Sequence, residues 1–267
     1  MPYFTTDDNC RLYYEECGQG RPVVLIHGWS CNRHFWKHQI PALAKRYRVL
    51  AFDLRGHGDS DRPEEGCHVA QLARDTKALI DYLGYRDVTL IGWSMGAHII
   101  MDYVLQFGCE NISKIVWDDE SAKITTDETW SLGSNGNFPA QTNLDMLEGM
   151  VMDWPATARR FVPRIFNEKH RGCEDWDWAE AQILPNTPHV MVNLWISITQ
   201  QDYRDKLHLI TVPTLVTYGA DSTFPQAVHE YVAAHIPNAR LARFRGGHAH
   251  HMQDHEAYNQ TVLDFIG

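Results

Sequence analysis

Ser94 stands between two glycines in "VTLIGWSMGAHII" (Val88–Ile100), in the pattern G-x-S-x-G. A hydroxyl in an apolar run has no evident packing role, and paired glycines cost backbone entropy unless a turn requires them. The β-branched residues before it read as a strand, and "GAHIIMDYVLQFG" after it reads as a helix. The pattern therefore marks a strand-to-helix turn too tight for bulk two residues either side of the serine. In such a turn Ser94 is exposed at the strand end with a helix N-terminus behind it, and the Met95 amide points where an oxyanion would form. The chemistry implied is nucleophilic attack.

A serine hydroxyl near neutral pH needs a base. Among fifteen histidines, His248 in "RGGHAHHMQ" has the best position. It lies in a glycine-led loop after the last strand candidate and before the C-terminal helix, at the edge where open α/β sheets build their sites. His250 and His251 share that loop, nearer the helix. A third group must orient the imidazole. Asp221 in "YGADSTFP" follows a strand and precedes the histidine, giving the order Ser–Asp–His. Asp118, which ends "SKIVWD", is the alternative acid.

These residues need strands to carry them. "PVVLI" (Pro22–Ile26), "YRVLAF" (Tyr47–Phe52), "DVTLIG" (Asp87–Gly92), "SKIVWD" (Ser113–Asp118) and "VPTLVTYG" (Val212–Gly219) read as buried parallel strands, with "ARLARF" (Ala239–Phe244) a weaker candidate. Helical patterns lie between them. "HVAQLARDTKALIDYLG" sets Val69, Leu72, Ala73, Thr76, Leu79 and Leu83 on one face and ends at a glycine. The start, "YFTTDDNCRLYYEE", reads as an antiparallel hairpin turning at Asp-Asp-Asn. Such alternation predicts a sheet covered on both faces. The rhythm fails over about 121–206, a tryptophan- and methionine-rich stretch that reads as a helical insertion.

Bulk properties agree with an enzyme-sized globule. A chain of 267 residues, 44% hydrophobic, suffices for one large domain with an insertion. No apolar run approaches the ~20 residues of a membrane span, and the N-terminus lacks a signal-peptide pattern. Six scattered cysteines then read as reduced thiols of a cytoplasmic protein. The net charge of −10 argues against a nucleic-acid partner. His98 reads as a packing residue, and Arg55 and Asp59 in "DLRGHGDSDRP" as holders of backbone. "HAHH" (His248–His251) suggests a metal site, but its glycine-led setting suits a catalytic base better.

Taken together, "VVLIHGW" (Val23–Trp29), "DLRGHGDSDRP" (Asp53–Pro63), "GWSMGAH" (Gly92–His98), "YGADSTFP" (Tyr218–Pro225) and "GGHAHH" (Gly246–His251) resemble the α/β-hydrolase superfamily over nearly the whole chain. In motifs they are closest to cofactor-free haloperoxidases, perhydrolases and small carboxylesterases. The resemblance implies a mostly parallel eight-stranded sheet with helices on both faces, a core from 1–120 and 207–267, and a helical cap from 121–206. It implies Ser94 as nucleophile, His248 as base, Asp221 as acid, and the Trp29 and Met95 amides as the oxyanion hole. No cofactor or metal is called for, and the partner is a small molecule. Trp93, Cys31, Trp154 and Trp195 are the candidate pocket residues. The chain departs from relatives in a loop one residue short between Gly219 and Asp221, in Ala97, and in an acidic "SKIVWDDESAK". Ester, thioester or lactone hydrolysis is the expected activity. The alternatives are perhydrolase or haloperoxidase chemistry, and cofactor-independent dioxygenation of a heteroaromatic compound.

Overall fold

The computed structural model describes every residue except Met1, Glu168 and His170. In chain order the strands are β1 (Tyr3–Thr5), β2 (Arg11–Cys17), β3 (Pro22–Ile26), β4 (Arg48–Phe52), β5 (Val88–Trp93), β6 (Ile112–Asp118), β7 (Thr214–Gly219) and β8 (Ala239–Phe244). They form one eight-stranded sheet in the order β1-β2-β4-β3-β5-β6-β7-β8. β1 and β2 pair antiparallel with Thr5 opposite Arg11, and β2 pairs antiparallel with β4. Every pairing from β4 to β8 is parallel. β5, at the centre, is buried along its whole length, which is why its sequence is apolar rather than alternating.

The helices are α1 (Gln39–Leu43), α2 (Val69–Tyr82), α3 (Met95–Phe107), α4 (Ala140–Met152), α5 (Trp154–Phe166), α6 (Glu174–Ile183), α7 (Pro188–Thr199), α8 (Gln226–His235), α9 (His250–Gln253) and α10 (His255–Ile266). α2 buries the predicted face, and the chain leaves it through Gly84 at a φ of +68°. Four helices, α4 to α7, fill the interval between β6 and β7, where the strand rhythm of the sequence fails. Residues of α5 and α7 meet Ser94 across a cavity, so this interval lies over the carboxyl edge of the sheet. No helix among the described residues is long and apolar enough to cross a membrane.

Two buried histidines fix the loop after β3. His27 donates from Nδ1 to the Gly28 carbonyl (2.9 Å) and accepts the Leu54 amide at Nε2 (3.1 Å). His57 donates from Nδ1 to the Arg55 carbonyl (3.1 Å) and accepts the Ser30 amide at Nε2 (3.2 Å). Each ring must be neutral to accept, and burial pushes His27 down to about 4 and His57 to about 3. Neither Arg55 nor Asp59 acts mainly through backbone, contrary to the sequence expectation. The Arg55 guanidinium, fully buried, pairs with Asp75 of α2 (2.6 Å) and Asp8 of the N-terminal hairpin (2.8 Å). The Asp59 carboxylate pairs with Arg33 (2.9 Å).

The glycines of the β5–α3 turn are a steric requirement. A Cβ on Gly96 would run into the Ile26 carbonyl oxygen of β3, and one on Gly92 into the Gly96 carbonyl. Both obstacles are backbone, which cannot rotate aside. Gly96→Ala should therefore destabilise the fold by about 1–3 kcal/mol, even though alanine is the better helix former by about 1 kcal/mol. Urea unfolding checks this, and a midpoint at or above wild type would refute the steric account.

Candidate active site

Ser94 caps α3 with φ +55° and ψ −124°, a conformation that side-chain-bearing residues adopt only under constraint. Its amide donates to the Asp118 carbonyl (2.8 Å), and its Cβ faces Gly28, where a side chain would crowd it. The flanking amides of Trp29 and Met95 have no hydrogen-bond partner among the described residues. Both belong to segments held from behind, by His27 and His57 for Trp29 and by α3 for Met95.

His248 sits in the loop after β8 and is 6% exposed. Its carbonyl accepts the Trp93 indole N–H (2.9 Å), so the residue before Ser94 holds the loop that carries His248. Its Nδ1 lies 3.7 Å from Oδ2 of Asp119. Asp119 follows β6 directly, with φ +48°, and is fully buried. Its carboxylate accepts the Ser222 hydroxyl (2.8 Å) and the Gly219 amide (3.3 Å), with His229 Nε2 at 3.2 Å and His250 Nδ1 at 3.5 Å. Burial alone would raise Asp119. The surrounding His229, His248 and His250 outweigh it and hold the carboxyl well below its ordinary range.

Neither sequence candidate for the acid occupies that place. Asp221 turns outward and pairs with Lys169 (2.6 Å), while its amide donates to the Gly246 carbonyl (2.8 Å). Ser222, one residue later, faces the histidine region and gives its hydroxyl to Asp119. Asp118 faces elsewhere, accepting from Thr217 (3.0 Å) and Tyr258 (2.8 Å) beside His250 Nε2 (3.1 Å). Burial raises Asp118 to about 6 despite His250. His250 and His251 are wholly buried behind His248 and line no part of the Ser94 cavity. No cluster of three or more His, Cys, Asp or Glu side chains among the described residues is arranged to hold a metal.

Glu120, which sequence reasoning missed, touches Ser94. Its Oε1 accepts the Ser121 amide (2.7 Å), and its Oε2 lies 3.4 Å from Ser94 Oγ. No hydrogen bond joins Ser94 and His248 in this structure, although both line one cavity. Burial pushes Glu120 up to about 8, with Asp119 adding to the rise. Ser94 Oγ donates to Glu120 Oε2, so at rest the hydroxyl is turned toward the carboxyl rather than toward His248.

The cavity is narrow, about 30 Å³, and is lined by Trp29, Glu120, Phe161, Arg164, Trp195 and Phe224 among others. An adjoining chamber of about 270 Å³ shares Phe161 and Arg164 with it. Of the expected pocket residues, Trp195 lines the cavity. Trp93 lies behind the nucleophile, stacked on Phe35 with centroids 5.6 Å apart. Cys31 is buried, which pushes its thiol well above the usual range. Trp154 donates to the Leu184 carbonyl (3.1 Å) and meets the Trp29 ring edge-on, one layer back. His98 donates from Nε2 to the Ser121 carbonyl (2.7 Å) and is a packing residue, as its sequence position suggests.

The family model for the alpha/beta hydrolase fold matches residues 21–254. The chain belongs to that family. It is 31% identical to a non-heme chloroperoxidase of Kitasatospora aureofaciens, over 100% of this chain and 99% of that protein. It is 28% identical over 95% of its length to a pimeloyl-[acyl-carrier protein] methyl ester esterase of Vibrio cholerae, covering 97% of that protein. Among solved structures, an esterase from Exiguobacterium antarcticum superposes with a TM-score of 0.92 at 28% identity, covering 99% of this chain and 98% of that one. This hydrolase is thus near both esterases and haloperoxidases.

Glu120 makes stability depend on pH. Its carboxyl titrates near 4.5 when unfolded and near 8 when folded, so the native state holds an extra proton between those values. The stability that this proton represents is complete below the lower value and is lost as pH rises toward the upper one. Glu120→Gln removes the dependence. Relative to wild type, the variant should gain about 3 kcal/mol between pH 5 and pH 8 in urea unfolding. A constant difference across that range would show that Glu120 is ionised throughout.

Proposed function

We propose that this hydrolase cleaves a small, partly apolar carboxylic ester, thioester or lactone through an acyl-enzyme on Ser94. The observation that carries the proposal is Ser94 held at φ +55° on the wall of a cavity that it shares with His248, between two unpartnered amides. His248 takes the serine proton as Ser94 attacks the carbonyl carbon. The Trp29 and Met95 amides receive the developing oxyanion, where each such donor is worth ~10²–10³ in turnover. His248 then protonates the leaving group, and water releases the acid. Asp119 supports the imidazolium from the Nδ1 side, in the role the sequence assigned to Asp221. The 3.4 Å bond between Ser94 and Glu120 holds the hydroxyl in its resting rotamer. Tightening of the serine–histidine contact belongs to the substrate complex. The insertion over 121–206 acts as the cap, with α5 and α7 closing the cavity.

A second reading keeps the same acyl-enzyme and lets hydrogen peroxide replace water as the attacking nucleophile, releasing a peroxy acid. The relatives named as haloperoxidases favour it over dioxygenation. Dioxygenation would need only the histidine and its acid, and would leave the bond between Glu120 and Ser94 without a purpose.

Turnover of p-nitrophenyl esters tests the assignment. Ser94→Ala and His248→Ala should each lose ~10⁶ in kcat, and Asp119→Asn about 10⁴. Asp221→Asn should stay near wild type. A fluorophosphonate should label Ser94 one-to-one with loss of activity. If Asp221→Asn cripples turnover and Asp119→Asn spares it, the acid is misassigned. Activity that survives Ser94→Ala removes the acyl-enzyme altogether.

A further inference from the structure

Arg164, on α5, lines both the Ser94 cavity and the adjoining 270 Å³ chamber. Its surroundings are unusual for a guanidinium. It is part-buried, packed over the rings of Phe138 (5.6 Å) and Phe161 (6.0 Å), and its hydrogen bond is to the Ser134 hydroxyl (2.8 Å). No carboxylate pairs with it among the described residues, in a chain where Arg33, Arg55, Arg204 and Arg245 all have one. A charge removed from water and left without a counter-ion is costly, and such a charge is ordinarily matched. The other acid on the shared wall, Glu120, is committed to Ser121 and Ser94. In the outer chamber, Arg160 also has no ion pair among the described residues, and Asp145 there accepts from Gln141 (2.8 Å). Arg160 and Arg164 lie one helical turn apart on α5, so the two cations face one space.

We propose that Arg164 is a specificity-determining residue and that the substrate is an ester bearing a carboxylate, which the guanidinium receives while the ester carbonyl lies at Ser94. The proposal rests on the acyl-enzyme reading for its reaction, and on the unmatched cation for its substrate class. Arginine suits the task because its planar fork donates to both carboxylate oxygens at once. The Phe138 and Phe161 rings keep the pair out of water, where it gains strength. The overall charge of −10 would otherwise repel an anion, so a local cation is needed to admit one.

The test compares two esters of equal chain length, the p-nitrophenyl hemiester of adipic acid and p-nitrophenyl hexanoate. Wild type should favour the hemiester about 10- to 100-fold in kcat/KM, the range expected for hydrogen bonds to a charged group. Arg164→Gln should bring that ratio close to one, chiefly through KM, and Arg164→Lys should retain part of it. Thermal melting of both variants confirms that they are folded. A wild-type preference for the hexanoate, or a ratio that Arg164→Gln leaves unchanged, overturns the proposal. If neither ester is turned over, the acyl-enzyme reading fails, and binding answers the separate question. Calorimetric titration of monomethyl adipate into the Ser94→Ala chain should then show binding at least tenfold tighter than into the Ser94→Ala/Arg164→Gln chain. Equal affinities, or no binding to either, refute the carboxylate assignment.

Discussion

The tight crossing of backbone at the β5–α3 turn is the constraint from which the rest follows. β3 and β5 are neighbours in the sheet, and α3 must start directly above them. The Ile26 carbonyl therefore presses on Gly96, the Gly96 carbonyl on Gly92, and Ser94 on Gly28. Only a residue forced to positive φ can join strand to helix in so little room, and that residue is the serine. The same turn leaves the Trp29 and Met95 amides without hydrogen-bond partners among the described residues. The proposed nucleophile and the proposed anion site are thus two results of one packing problem.

A second layer holds His248. Asp118 and Asp119 leave β6 in opposite directions and are met by four histidines, of which only His248 reaches the cavity. His250, stacked on Phe244, bridges the two aspartates. Burial lowers His250 and the carboxylates raise it, with a net rise. Most of "HAHH" is therefore a buried electrostatic frame, with one member doing the proposed chemistry. Trp93 closes the frame by tying the His248 carbonyl to the strand that bears Ser94.

Much of this was legible in the sequence. Glycines at 92 and 96, the strand before Ser94 and the amphipathic α2 each have a local physical cause, so periodicity and turn chemistry exposed them. The eight-stranded sheet came from the family resemblance. The expected acid, Asp221, pairs with Lys169, while Ser222 beside it gives its hydroxyl to Asp119. The carboxylate near His248 comes instead from the end of the neighbouring strand, at Asp119, a placement visible only in three dimensions. "WDDE" carried a trace of it in its excess of acids. Nothing local, however, says that Asp118, Asp119 and Glu120 point to three different partners. Of the expected pocket residues, Trp195 lines the cavity while Trp93, Cys31 and Trp154 do not: tryptophans attract attention by size, while cavity walls are chosen by how α5 and α7 settle on the sheet.

The slot beside Ser94, at about 30 Å³, has room for little more than one solvent molecule. Phe161 and Trp195 both meet the Trp29 ring edge-on, with centroids 4.7 and 4.9 Å apart. For the proposed acyl group to reach Ser94, those rings have to give way, so the girth of what the protein admits is set by side chains of α5 and α7 rather than by the serine.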